Sequence, residues 1–290
     1  MTKTLMLFCM VILATIANAQ KMDAYKLYDA RGRQVKFERM LNVLSQSDVV
    51  LFGELHNNPV CHWMQLELSK GIFEKNGSLI MGGEMFESDN QLLIDEYFAG
   101  LIRQRNFEEE MRLWPNYKTD YKPMLEFAKD KNIRFVATNI PRRYAALVNQ
   151  NGFEGLNELS DEAKRFLPIL PVPYDPEAPN YREMSEMDMG GGHGKGGVPP
   201  NMVKAQAIKD ATMAYFISKN FEKDKVFIHF QGDFHSKNHG AIVWYLQQYN
   251  PRLKVSTIST VEAEDLEFRD EYKPLADFIL VIPESMTKTH

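Results

Sequence analysis

Six short apolar runs, each separated from the next by a longer stretch of helical spacing, restrict what this chain can fold into more than any other feature. The runs are "VVLF" (49–52), "SLIMGGE" (78–84), "IRFVAT" (133–138), "KVFIHF" (225–230), "LKVSTI" (253–258) and "DFILVI" (277–282). The intervening stretches 59–75, about 88–111, 120–131, 141–150, 201–220 and 237–249 read as helices. Strand–helix–strand alternation predicts an α/β fold with a mainly parallel central sheet flanked by helices. In such folds the loops at the carboxyl ends of the strands gather the ligand site.

The start of the chain lies outside that pattern. Lys3 precedes an apolar run from Leu5 to Ile16, followed by Ala17-Asn18-Ala19. This order predicts a secretory signal (1–19) cleaved after Ala19, and an exported, periplasmic domain over 20–290. The run falls short of the ~20 apolar residues of a membrane span, so a membrane anchor is the less favoured reading. Removing Lys3, the only charge in 1–19, takes the formal net charge from −5 to −6. No basic stripe is present, which argues against a nucleic-acid partner. Of the two cysteines, Cys9 falls in the signal, so Cys61 has no partner for an internal disulfide.

Residues 168–200 interrupt the alternation with repeated prolines and a glycine cluster. They predict a long loop insertion that, with flanking helical pieces, forms a small cap over roughly 152–200. Met184, Met187, Met189, His193 and Met202 resemble the thioether–imidazole sets that hold copper(I), and His193 is also a candidate haem ligand. Incidental methionines in a lid are the competing interpretation.

Four strands end in polar or ligating groups: Glu54 and His56, then Glu84, then Asn139 to Arg142, then Asp233 and His235. In a parallel sheet these converge on one crevice. Asn57 or Asn58, with Pro59 behind, reads as a helix cap, which frees Glu54. Cys61 reads as a small buried residue and His62 as a satisfied helix histidine. A buried Glu84 needs a partner, and Arg142 is the expected counter-charge. Glu54, His56, Glu84 and His235 suit a zinc-type divalent ion, with His56 and His235 as ligands. They equally suit acid–base catalysis by Glu54 and Glu84, and the alternative to a binding role is a metal-dependent hydrolase that uses Glu54, His56, Glu84 and His235 together.

The blocks "GELHNNPVCHWMQLEL", "GGEMFESDNQLLIDEYFAG", "WPNYKTDYKPMLEFAKDKNIRFVATNIPRR", "KAQAIKDATMAYFI" and "QGDFHSKNHGAIVWYL" occur in this order. Together they resemble the ChaN-like haem-binding uptake proteins, distantly similar to the erythromycin-esterase and Tiki/TraB proteins. The resemblance implies an exported haem carrier or store in iron uptake, paired as a homodimer and serving an outer-membrane receptor. It also implies a tyrosine axial ligand, with Tyr144, Tyr174 and Tyr181 as candidates, and propionates held by Arg142 and Arg143. Two departures stand out. Cys61-His62 replaces paired histidines, and Asp233 replaces an asparagine, which adds an acid to the crevice.

Overall fold

The computed structural model describes residues 23–187 and 197–290. The expected signal segment, Met189 and His193 lie outside the described residues.

The chain opens with strands β1 (Lys26–Asp29) and β2 (Gln34–Val35) and helix α1 (Phe37–Leu44). Next come β3 (Val49–Glu54), α2 (Pro59–Asn76), β4 (Ile80–Glu87), α3 (Gln91–Phe98) and α4 (Gln104–Glu110). They are followed by α5 (Lys122–Asp130), β5 (Arg134–Asn139), α6 (Arg142–Asn151), α7 (Asp161–Lys164) and α8 (Pro179–Glu186). The chain ends with α9 (Pro200–Asn220), β6 (Phe227–Gly232), α10 (Ile242–Tyr249), β7 (Val255–Ala263) and β8 (Phe278–Pro283).

The strands form one sheet in the order β2-β1-β8-β7-β3-β6-β4-β5. Pairing is parallel from β8 through to β5, as the alternation predicts, and antiparallel only where β1 meets β8 and β2. β3, β6 and β4 lie side by side in the middle, and every residue in them is buried. Apolar runs without polar alternation are what a sheet covered on both faces requires. One apolar cluster, including Phe52, Met64, Leu68, Tyr121 and Phe230, fills the α2/α5 face. A second, including Leu51, Ala207, Ala211, Phe227 and Tyr245, fills the α9/α10 face.

Local chemistry fixes the elements nearest the strand ends. The Asn58 side chain accepts from the Val60 N–H at 3.0 Å and Pro59 takes the first helical position, so α2 starts at the predicted cap. Gly77 ends α2 with φ +69°, a left-handed conformation that favours glycine. The expected helix 237–249 is shorter. Asn238, His239 and Ala241 all have positive φ, so regular helix begins only at Ile242. A π-helical turn, Tyr117–Tyr121, precedes α5 and turns Asp120 and Tyr121 inward.

Candidate functional site

Glu54 ends β3, and α2 runs directly behind it. Its Oε1 faces His56 Nδ1 at 2.9 Å and accepts from the Tyr121 hydroxyl at 2.8 Å. Its Oε2 accepts from the Gln65 amide at 2.5 Å. His62 lies three residues before Gln65, on the same helical face, with Nδ1 at 3.7 Å from Glu54 Oε2 and Nε2 at 3.3 Å from Asp120 Oδ2. Burial raises the Glu54 pKa, but the His56 bond and the neighbouring imidazoles outweigh it and leave Glu54 below the usual range. His56 moves upward: burial lowers it, and the bond from Glu54 with the field of Glu84 raises it more. The His56 ring stands edge-on to Trp114 with centroids 4.9 Å apart. Its side chain is 38% exposed, and Nε2 has no hydrogen-bond partner among the described residues. Gly232 makes room for that nitrogen, because a Cβ there would lie 2.7 Å from it.

The second imidazole has the opposite setting. A register shift between Gly83 and Glu87 in β4 re-aims Glu84 toward β6. Glu84 Oε2 accepts the Gly232 N–H at 2.8 Å, and Oε1 lies 3.1 Å from His235 Nε2. His235 Nδ1 reaches Asp210 Oδ1 on α9 at 2.5 Å, and the Tyr181 hydroxyl of α8 donates to Asp210 Oδ2 at 2.9 Å. Burial would lower His235, but Glu84 and Asp210 together carry it up to about 10. Burial would raise Glu84, yet His235 and the Gly232 amide hold it far below the carboxylate range. Asp210 goes the other way, raised by burial with Glu84 close by despite its bond to His235. The pair is therefore an imidazolium between two buried carboxyls, with Glu84 the more firmly ionised.

His56, Glu84 and His235 line one cleft of about 670 Å³ together with Trp114, Arg142 and Lys209. Glu54, His56 and His235 also line an adjoining hollow of about 480 Å³. Four strand ends thus converge, as the pattern of the sequence implies. Arg142 departs from expectation. It is 65% exposed and bonds Glu87, Nε to Oε1 at 2.5 Å, because the Glu84 carboxylate is already held by His235 and Gly232. Arg112 also binds Glu87, at 2.8 Å, and pairs with Asp89, as Arg143 does at 2.5 Å.

Asp233 borders the adjoining hollow, as an acid added to the crevice would. It turns back into the sheet, accepts the Thr260 N–H at 3.2 Å, and burial raises it to about 6. Its bond to Thr260 also ties the end of β6 to β7. Tyr144, Tyr174 and Tyr181 are not among the described lining residues. Tyr144 lies beneath Arg143, which donates to its hydroxyl at 3.2 Å, Tyr174 packs on Phe153, and Tyr181 is bound to Asp210. Cys61 is buried, and burial pushes its thiol up to about 12.

The metal readings lack a built site. Among the described residues no three His, Cys, Asp or Glu side chains are grouped to hold a metal ion. The Glu54, Glu84 and His235 donors are engaged with one another or with neighbouring protein groups. Met184 and Met202 pack on the α9/α10 core while Met187 is exposed, so these methionines do not share one ligand pocket.

Sequence reasoning missed Asp210, Gln206, Lys209, Tyr121, Gln65 and Trp114. A signal existed for the first two. In α9, Gln206 and Asp210 fall four residues apart, beside the buried Val203, Ala207 and Ala211. A polar pair on an apolar face needs a polar partner.

Residues 40–246, well over half of the chain, match the family described as "Haem-binding uptake, Tiki superfamily, ChaN". The protein belongs to this family. A structure described as cofacial haem binding to ChaN of Campylobacter jejuni shares the fold, with a TM-score of 0.60 and 15% identity over 89% of this chain and 96% of that one. An erythromycin esterase, EreC, in its open conformation gives a TM-score of 0.51 and 9% identity over 89% and 97% of the two chains. No curated protein matches by sequence. No helix among the described residues is long and apolar enough to cross a membrane.

Proposed function

We propose that this protein binds haem in the cleft at the ends of β3, β4 and β6, and that it acts as an exported haem carrier. The single observation behind the reading is the unpartnered Nε2 of His56, which lies against Gly232 at the wall of the cleft while Glu54 holds Nδ1. A carboxylate on one ring nitrogen fixes the tautomer and leaves the other as a lone-pair donor. The surrounding groups fit the rest of the ligand. Leu113, Trp114 and Ile140 give an apolar wall, and Arg142 and Lys209 supply cations for propionates. The buried Asn139 Oδ1 on the same cleft has no partner. The volume is in the range of small-molecule and cofactor pockets, roughly 300–1,000 Å³. When bound, haem would supply an iron that accepts a nitrogen ligand.

Export is supported by the apolar run before Ala19. Haem transfer in uptake, with pairing of two copies and delivery from or to an outer-membrane receptor, extends the family description. Titration with hemin tests the reading. It expects a saturable Soret shift that weakens when Arg142 and Lys209 are both replaced by Ala; absence of saturable binding refutes it. Sedimentation of the loaded protein tests the pairing.

A second reading is favoured by the two imidazoles facing one cleft, one with a free nitrogen and one held as a cation. His56 Nε2 takes a proton from water as the oxygen bonds an acyl carbon, and the imidazolium so formed returns that proton to the departing group as its bond to the carbon breaks. This is hydrolysis without a metal. An ester and amide substrate screen with chelator-treated protein tests it, with turnover lost in His56→Ala as the expected result and a silent screen as the refutation.

A further inference from the structure

Helix α9 borders two openings. Gln206 and Lys209 line the strand-end cleft, while Tyr215, Phe216 and Lys219 line a separate hollow of about 540 Å³. Lys209 and Lys219 are about 15 Å apart along the helix axis, at 1.5 Å per residue. The two openings have no lining residue in common. The other wall of the hollow is the segment 164–170 at the end of α7, with Ser88 just after β4.

The wall is firm and its lip is apolar. Leu167 is buried in a cluster with Ile140, Val148 and Ile208, and the Ser88 hydroxyl donates to Phe166 O at 3.0 Å. These ties hold "RFLPIL" (165–170) against the body while Ile169 stays 63% exposed. On α9 the Tyr215 and Phe216 side chains are half-buried, although Ala214 and Ile217 beside them are buried completely. Apolar and aromatic side chains gathered around a hollow and left partly open are what a ligand site for an apolar body requires.

The charges at this hollow have one sign. Lys164, Arg165 and Lys219 line it, and no carboxylate is among its described lining residues. Lys219 Nζ lies 5.5 Å from the Tyr215 ring centroid and 5.6 Å from that of Phe216, as their i,i+4 and i,i+3 spacing favours. It stands in the last turn of α9, where it offsets the partial negative charge that would repel an anion. Lys164 is bound to a neutral acceptor, Asn157 O, at 3.0 Å and keeps its charge unneutralised. Arg165 pairs with Glu162 at 3.1 Å, an exposed pair with which an incoming anion can compete.

We propose that this hollow is a second ligand site, which takes an anionic amphiphile: a carboxylate or phosphate head held by Lys164, Arg165 and Lys219, and an alkyl or aryl body laid on Phe166, Ile169 and the two α9 rings. The charges select an anion over a neutral or cationic lipid. The ring and Ile169 surface selects an amphiphile over inorganic phosphate, which would leave that surface wet. The haem reading does not need this site, since its cations are Arg142 and Lys209 in the other opening.

The test is calorimetric titration of the full chain with monomeric decanoate and decyl phosphate, set against decyltrimethylammonium and inorganic phosphate. Both decyl anions should bind saturably and more weakly as salt is added, with the cation and phosphate at least about tenfold weaker. Lys219→Glu, at an exposed position, should lower decanoate affinity on the order of tenfold. Ile169→Ser, also exposed, should lower it about threefold to tenfold. Hemin titration should be unchanged in both variants. Equal affinity for decanoate and decyltrimethylammonium, or decanoate binding that Lys219→Glu leaves intact, overturns the site. Hemin that displaces decanoate overturns its separation from the haem cleft. Binding to phosphatidylglycerol vesicles without binding to decanoate overturns the ligand site in favour of a membrane contact. A protein that binds hemin but no decanoate refutes this inference alone, and one that binds decanoate but no hemin refutes the haem reading alone.

Discussion

The two carboxylate–histidine pairs at the centre of the sheet use the same residue types for opposite ends. His235 is 5% exposed and lies between two buried carboxyls on different elements, so both of its nitrogens are bonded. His56 is 38% exposed, has one carboxylate partner and keeps one nitrogen open. The first arrangement joins β4, β6 and α9 through charge; the second orients a donor toward a cleft. The number of carboxyl partners, more than burial alone, separates a structural cation from an imidazole with a nitrogen to spare. A buried ion with both sides satisfied has nothing to offer a ligand unless a bond is first broken.

The largest effect should come from breaking the buried triad. His235→Ala leaves Glu84 and Asp210 facing each other without a cation, and its loss is expected at about 3–5 kcal/mol in urea unfolding. The milder His235→Gln exposes the pH dependence. Because the folded pKa of His235 is raised from 6.5 to about 10, its stabilisation is complete below pH 6.5 and is lost as pH rises toward 10. The wild-type urea midpoint should therefore fall over that range by more than that of His235→Gln. Parallel pH profiles for the two proteins would show that His235 is not the cation described here.

His56→Ala should behave in the opposite way. Stability should change by less than about 1 kcal/mol, as for other partly exposed sites, while hemin affinity falls at least about tenfold. Its pH dependence has a definite sign as well. A ligand imidazole must be neutral, and the His56 pKa is raised, so hemin binding should weaken as pH falls through that value. Calorimetric titration at several pH values checks this, and stronger binding in acid would count against His56 as the donor.

Two smaller changes sharpen the contrast. Tyr181→Phe removes one bond to Asp210 and is expected to cost about 0.5–1.5 kcal/mol in stability without altering the hemin spectrum. Arg142→Ala removes a partly solvent-screened cation, so hemin affinity should fall only about two- to fivefold, with greater loss at low salt.

The parts of this account that were legible in the sequence are those carried by local pattern. Unbroken apolar runs gave the parallel strands, and Asn58-Pro59 gave the start of α2. The polar strand ends gave Glu54, His56, Glu84 and His235. The antiparallel edge was not legible, since β1 and β2 are four and two residues long and bear no pattern of their own. Arg142 pairs with Glu87 and not with Glu84, because the irregularity between Gly83 and Glu87, invisible in the sequence, alters which carboxylate faces it. Asp210 lies 25 residues from His235, and the sequence alone does not say that α9 passes over β6. The anchoring of residues 284–290 is not legible for a related reason: its anchors, Asn57, Asp120 and Glu262, are distant in the chain, and "MTKTH" has neither an apolar period nor a motif.

The most direct test of the central claim is the position of iron in crystals grown with hemin, located by anomalous scattering. The account expects iron beside His56 Nε2, with the porphyrin edge toward Arg142 and Lys209. Iron held by Tyr144, Tyr174 or Tyr181, away from the Glu54–His56 pair, would contradict it.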